Sequence, residues 1–140
     1  MRLSKIMLAA GLSSLFAAVP AQAQVEVQWW HSMGGALGEW VNDLAKDFNA
    51  SQKDYKVTPT FKGSYDESMT AAIAAFRAGN APHILQVFEV GTATMMASKN
   101  AIVPVGEVMK KAGVTFDANA YVPAVAGYYT APNGQMLSFP

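Results

Sequence analysis

Apolar and polar positions alternate along the stretch that follows residue 24. Val25, Val27 and Trp29 recur with a period of two, which is typical of a β-strand, and the run breaks at Gly34. Beyond this break, apolar residues recur with the spacing of one face of a helix, and they are Leu37, Trp40, Val41, Leu44, Ala45 and Phe48. The pattern therefore predicts a strand followed by an amphipathic helix whose apolar stripe, Trp40 included, belongs to the core.

The order of strand and helix then repeats. Residues 55–61 alternate again, and Pro59 favours an edge or irregular strand because proline donates no hydrogen bond to a neighbour. Ser64 and Glu67 have the spacing of a capping box at the start of a second helix. The nearly continuous apolar run 84–88 predicts a third strand that is covered on both faces. This order predicts an α/β fold with a parallel sheet and helices on its faces.

The patterns after the third strand are shorter. Residues 91–98 and 105–112 predict two more helices, separated by a turn and Pro104. Near the end, Tyr128-Tyr129 and residues 136–139 flank a Pro-Asn-Gly turn, which predicts a hairpin.

The first 23 residues have the pattern of a secretory signal peptide. Arg2 and Lys5 precede an apolar stretch, residues 6–19, and Ala21-Gln22-Ala23 forms an A-x-A cleavage site. The apolar stretch is shorter than the roughly 20 residues that a membrane-spanning helix needs. We therefore expect cleavage after Ala23 and export of residues 24–140 to the periplasm. The sequence contains no cysteine, so neither a lipid anchored on cysteine nor a disulfide is expected.

Charge and motif content narrow the function classes. Ten basic residues balance ten acidic ones, so no large positive field is available to hold nucleic acid. The two histidines, His31 and His83, lie far apart and outside any zinc-binding motif. The chain after residue 23 has no Gly-x-Ser-x-Gly sequence, and the sequence has no phosphate-binding glycine loop. We therefore expect no catalytic residues, no metal and no cofactor, and predict that the protein is not an enzyme.

Candidate binding residues cluster where the predicted strands end. In an open α/β sheet, ligands bind at the carboxyl ends of the strands, and three segments map there: residues 30–35, 62–65 and 89–92. Glu89 is the strongest single candidate. It either accepts hydrogen bonds from ligand hydroxyls or serves only as an exposed cap of the next helix. Tyr65 either contacts the ligand or packs against the following strand. The remaining candidates in these segments are Trp30, His31, Ser32, Ser64, Gly91 and Thr92.

Strand alternation also separates two adjacent tryptophans. Trp29 and Trp30 must point to opposite sides if the first strand is correct, so only one of the pair can be a ligand candidate.

Several longer segments resemble a known family, the periplasmic carbohydrate-type solute-binding components of ABC importers. The similarity lies in Trp30-His31-Ser32-Met33, Lys62-Gly63-Ser64-Tyr65, residues 74–82 and residues 84–98, and the Phe-Glu-Val-Gly-Thr-Ala-Thr-Met-Met run within the last segment resembles the branch that carries glycerol 3-phosphate. The resemblance implies a periplasmic-binding-protein-like fold with two lobes and a hinged cleft, in which residues 24–140 form the N-terminal part of the first lobe.

The resemblance also implies a ligand and partners. The ligand would be glycerol 3-phosphate or a glycerophosphodiester, with Tyr65 on the phosphate side and Glu89 on the glycerol hydroxyls. The partners would be a membrane permease and its cytoplasmic ATPase. Two alternatives stay open: a binding protein for a neutral sugar, because Lys62 is the one basic residue near these candidates, and a secreted hydrolase of glycerophosphodiesters.

Overall fold

The computed structural model describes residues 23–98, 100–115 and 117–140. Residues 1–22, most of the predicted signal peptide, lie outside the described part. The elements in chain order are β1 (Val25–His31), α1 (Gly35–Ser51), β2 (Tyr55–Phe61), α2 (Tyr65–Arg77), β3 (Ile84–Leu85), α3 (Glu89–Ala97), α4 (Val105–Lys111), a short 3-10 turn (Ala118–Ala120) and α5 (Pro123–Tyr128). Within the described ranges, none of the helices has the length and apolar character needed to cross a membrane.

The sheet is parallel, as predicted. Its order is β2-β1-β3, so β1 lies in the centre. The pairing of β1 with β2 runs in register from Val25 opposite Tyr55 to His31 opposite Phe61. Pro59 lies in β2, which is an edge strand of this sheet, and the edge position predicted from the proline is therefore confirmed.

The third strand is much shorter than predicted. Only Ile84 and Leu85 pair with β1, whereas the sequence predicted a strand to residue 88. One further hydrogen bond extends the pairing, from the Gln86 amide to the Trp30 carbonyl, at 2.9 Å. Because β1 ends at His31, the backbone beyond Gln86 has no strand to pair with and turns instead into α3.

Helix α1 confirms the predicted helix but not the predicted core. Val41 and Ala45 are buried, at 2% and 4% exposure, whereas Trp40 is 60% exposed. The prediction that Trp40 belongs to the core is therefore wrong. The helix lies along the edge strand β2, so the sheet covers only the middle of its apolar stripe.

An open apolar groove follows from this placement. It has a volume of about 350 Å³ and lies between α1 and the α1 side of the sheet. The residues that line it are Val27, Trp29, Leu44, Ala45, Phe48, Tyr55, Val57 and Ile84. None of the predicted site residues belongs to this groove.

The later helices agree with the sequence patterns within about two residues, and the end of the chain differs more. Helix α3 begins at Glu89 rather than at Gly91, and α4 ends one residue earlier than predicted. The hairpin is reduced to one antiparallel bridge, Thr130 with Met136, around the Pro-Asn-Gly turn. Tyr128 belongs to α5 and not to a hairpin strand.

The predicted capping box is present at the start of α2. The Glu67 amide donates to the Ser64 hydroxyl at 3.3 Å, and the Ser64 amide donates to the Glu67 carboxylate at 2.7 Å. The hydrogen bond from the Ser64 amide is the largest of the causes that hold the pKa of the Glu67 carboxylate below its usual value. The two capping hydrogen bonds satisfy amides that would otherwise have no partner at the start of the helix.

We expect Ser64→Ala to destabilise the folded protein by about 1 kcal/mol, because it removes the acceptor for the Glu67 amide. Chemical denaturation of the full-length protein measures this change. Ser51→Ala is the matched control, since its hydroxyl donates to the Phe48 carbonyl at the other end of a helix, and we expect a change of less than about 0.5 kcal/mol. Equal effects of the two substitutions would contradict a stabilising role for the cap.

Candidate functional site

The carboxyl ends of all three strands lie at one edge of the sheet, because the strands are parallel. Two hydrogen bonds join the segments that leave this edge. The Lys62 amide donates to the His31 carbonyl at 2.9 Å, and the Ser32 amide donates to the Gln86 side-chain oxygen at 3.0 Å. These hydrogen bonds join segment 30–35 to segment 62–65 and to Gln86, which precedes the third segment, 89–92, by three residues.

Strand order shows where a ligand fits best along this edge. The chain passes from β1 to β2 on one side and then crosses back to β3 on the other side, so the strand order reverses around β1. In open α/β sheets, such a switch point opens a crevice in which ligands bind. Ser32 and Gln86 bridge this point. Gln86 was not among the predicted site residues, because the sequence placed it in the middle of a strand that ran to residue 88, whereas the observed strand ends at Leu85.

Tyr65 is the first residue of α2 and reaches the start of α3. Its ring stacks on Phe88, with the ring centroids 5.2 Å apart and the planes inclined by 19°. Phe88 is the N-cap of α3 and directly precedes Glu89. The Tyr65 side chain remains 37% exposed, and its hydroxyl has no hydrogen-bond partner among the described residues. The stack therefore brings the two principal candidates, Tyr65 and Glu89, to neighbouring segments.

Glu89 is the first residue of α3 and is exposed. Its carboxylate forms neither a hydrogen bond nor an ion pair within the described ranges. Its backbone carbonyl accepts a hydrogen bond from the Tyr128 hydroxyl. This contact spans 39 residues, and no local sequence pattern indicated that Tyr128 reaches the site. The helix terminus favours the negative charge of Glu89, and the carboxylate is available to accept from a ligand.

Trp29 and Trp30 lie on opposite faces of the sheet, as strand alternation predicted. Trp29 lines the apolar groove beside α1. The Lys62 ammonium lies over the ring of Trp30, with 3.8 Å between the Nζ atom and the ring centroid. Trp30 is thus the member of the pair that joins the candidate site.

His31 is buried, at 3% exposure, between the rings of Trp29 and Phe61. Burial lowers the pKa of His31 below its usual value of 6.5. The Met33 amide donates to the His31 Nδ1 atom at 3.3 Å, which requires an unprotonated nitrogen there. His31 therefore shapes the turn after β1 and adds no positive charge to the edge near pH 7.

Three of the lower-ranked candidates have contacts within the protein. The Ser64 hydroxyl is engaged in the capping box, and the Thr92 hydroxyl donates to the Phe88 carbonyl at 3.1 Å. Gly91 is buried, and an added Cβ atom would lie 2.9 Å from the Met69 Sδ atom. The Ser64 and Thr92 contacts lie within the first turns of α2 and α3, and only the close approach of Gly91 to Met69 relates the two helices.

Ser32 differs from these residues. Its hydroxyl oxygen is buried and has no hydrogen-bond partner among the described residues. A buried hydroxyl without a partner is costly and uncommon in folded proteins. Ser32 lies at the switch point, so its hydroxyl is a buried polar group without a partner directly beside the expected crevice.

Taken together, the three segments offer the free carboxylate of Glu89, the ammonium of Lys62, hydroxyl groups and aromatic faces, and the first turn of α2 adds Asp66 and the capping residue Glu67. Such a set can bind a small polar ligand through directional hydrogen bonds and stacking. In the part of the chain that the structure describes, no group of three or more histidine, cysteine, aspartate and glutamate side chains could hold a metal ion.

Known proteins resemble this chain closely. Residues 34–137 match the family described as bacterial extracellular solute-binding proteins. The sn-glycerol-3-phosphate-binding periplasmic protein UgpB of Rhizobium meliloti is 53% identical over 123 residues, 88% of this chain and 29% of the relative. The protein of the same name from Agrobacterium fabrum is 50% identical over 99% of this chain and 32% of the relative.

The corresponding Escherichia coli K12 protein is 57% identical over 86% of this chain and 27% of its own length. The chain thus spans about a third or less of the length of these relatives. The family match covers most of the chain and includes most of the edge described above, from the turn after β1 to α3. This chain therefore belongs to the bacterial extracellular solute-binding protein family.

Proposed function

We propose that this chain forms the N-terminal part of the first lobe of a periplasmic binding protein that captures sn-glycerol 3-phosphate for an ABC importer. The observation that carries the proposal is the exposed Glu89 carboxylate, which has no protein partner among the described residues and lies beside the stack of Tyr65 on Phe88. Relatives at 50% to 57% identity bear the name of glycerol-3-phosphate-binding proteins, which supports this choice of ligand.

Each of the two principal residues has a chemical role in this proposal. A carboxylate accepts hydrogen bonds from neighbouring hydroxyls, so Glu89 binds the two glycerol hydroxyls. The Tyr65 hydroxyl donates a hydrogen bond to the phosphate side of the ligand. Glu89 accepts two charge-assisted hydrogen bonds, whereas Tyr65 donates one, so Glu89 contributes more to affinity than Tyr65 does.

The complete binding protein has two lobes that close over the ligand. Residues 24–140 supply one wall of the cleft, and groups outside this chain supply the other. A membrane permease with a cytoplasmic ATPase then receives the ligand. Glycerophosphodiesters share the glycerol phosphate group and are the second ligand class of the same site.

A neutral sugar is the alternative ligand, since Glu89 and the aromatic rings would also suit sugar hydroxyls. The two ligand classes differ in charge, and competition between them decides the question. A neutral sugar that displaces sn-glycerol 3-phosphate at equal concentration would favour the alternative.

Glu89→Gln tests the ligand contact. It keeps the size of the side chain and removes the charge, and a hydrogen bond to a charged group contributes about 1.5–3 kcal/mol. We therefore expect sn-glycerol 3-phosphate to bind the full-length protein about 10- to 100-fold more weakly, as measured by isothermal titration. Tyr65→Phe removes one neutral donor and should weaken binding less.

The matched control is Glu39→Gln, another exposed carboxylate, which lies on α1. We expect this variant to bind as the parent protein does. The melting temperature of the ligand-free protein should be nearly unchanged in Glu89→Gln. A melting temperature lowered by many degrees, together with intact affinity, would instead make Glu89 a structural residue.

The N-terminal residue of the exported protein tests the signal-peptide prediction. Cleavage after Ala23 predicts that protein recovered from the periplasm begins at Gln24. N-terminal sequencing of that material checks this directly. A mature protein that begins at Met1, or well inside β1, would contradict the assignment of the signal peptide.

Binding without turnover is the last expectation of the proposal. Full-length protein incubated with glycerophosphocholine should release no choline above a protein-free control, as measured by a choline assay. The same ligand should stabilise the protein against heat, by about 2.7 kcal/mol at a hundredfold excess over its dissociation constant. Release of choline in proportion to protein concentration would favour the hydrolase.

A further inference from the structure

A hydrogen bond to β1 holds the backbone of Lys62 at the carboxyl edge of the sheet. Its amide donates to the His31 carbonyl, directly after the last pair of β1 and β2. The next residue, Gly63, has a φ of +82°, and a Cβ atom there would lie 2.3 Å from the Glu67 carboxylate. The turn therefore requires glycine, and it directs the chain from Lys62 straight into the capping box of α2.

The Lys62 ammonium rests on an aromatic ring and not on a carboxylate. Its Nζ atom lies 3.8 Å from the centroid of Trp30, well within the range of about 6 Å for cation–π attraction. No carboxylate of the described residues forms an ion pair with it. A ring face attracts the positive charge but is a poor partner for the three N–H donors of an ammonium. The cation is thus positioned, half-buried, and still able to bind an anion.

The charged residues at the carboxyl edge indicate how the Lys62 ammonium would affect an anionic ligand. The segments 30–35, 62–65 and 89–92 contain one lysine, Lys62, one glutamate, Glu89, and no arginine, and the first turn of α2 adds two further carboxylates, Asp66 and Glu67. A phosphate that approaches Glu89 meets repulsion between like charges, and a fixed ammonium offsets that repulsion. A neutral ligand meets no such repulsion and gains less from the ammonium.

We infer that Lys62, positioned on the Trp30 ring, contacts the anionic group of the ligand and sets the preference of this site for a phosphate ester over a neutral polyol or sugar. The inference rests on the proposed function and adds to it one residue of the cleft wall that this chain supplies. Replacement of the ammonium should therefore reduce binding of anionic ligands, with little effect on the fold.

Lys62→Met in the full-length protein is the principal test, with sn-glycerol 3-phosphate as the ligand in isothermal titration. We expect binding at pH 7.5 to weaken about tenfold or more. The second pKa of a phosphate monoester is about 6, so the ligand carries one negative charge less at pH 5. The loss caused by Lys62→Met should therefore be smaller at pH 5 than at pH 7.5, a dependence that a purely structural role would not produce.

Two further variants complete the design. Lys62→Arg keeps the positive charge and the attraction to the ring, and should retain most of the affinity. Lys53→Met is the matched control, because Lys53 is exposed in the turn before β2, at the opposite end of that strand. We expect it to bind as the parent protein does. If Lys62→Met fails to fold, Lys62→Gln takes its place at the same two pH values.

The outcomes separate the two proposals. Parent protein that binds no sn-glycerol 3-phosphate would overturn the proposed function, and this inference with it. Parent protein that binds the ligand, with unchanged affinity in Lys62→Met, would overturn the role of Lys62 alone. A loss of the same size at both pH values would also overturn it, since the ammonium would then act on the fold and not on the ligand charge.

Discussion

Parallel pairing on both sides of β1 is the constraint on which the candidate site depends. Because β2 and β3 both run parallel to β1, their carboxyl ends meet at one edge, and each connection must cross the sheet through a helix. The strand order reverses around β1, and such a reversal marks the switch point at which an open α/β sheet forms a crevice. Residues that are far apart in the chain, such as Ser32 and Gln86, become hydrogen-bond partners there.

Aromatic contacts then arrange the polar groups of this edge. Phe88 supports the Tyr65 ring, and Trp30 supports the Lys62 ammonium. Contact with a ring can position a polar or charged side chain and still leave its hydrogen-bonding groups free. A carboxylate or an amide partner would occupy those groups. The buried His31 anchors the turn behind them as a neutral group. The site therefore combines fixed side-chain positions with donors and acceptors that remain available to a ligand.

The face of the sheet that packs against α1 is mostly apolar. Its groove beside α1 is almost wholly apolar and lies on the side of Trp29, whereas Trp30 and Lys62 belong to the candidate site. Alternation of side chains along β1 thus assigns two adjacent tryptophans to two separate surfaces. The chain belongs to the bacterial extracellular solute-binding protein family and spans about a third or less of the length of its relatives.

Local patterns by themselves determined the α/β order, the parallel sheet, the capping box at Ser64 and Glu67, and the three segments of the candidate site, because periodicity and turn chemistry act over a few residues. Tertiary structure decided the rest. The end of β1 shortened β3, and the position of α1 along an edge strand left Trp40 exposed. Contacts between Tyr65 and Phe88, Lys62 and Trp30, and Tyr128 and Glu89 join separate segments. No local pattern specifies them, since they depend on which strand ends lie side by side.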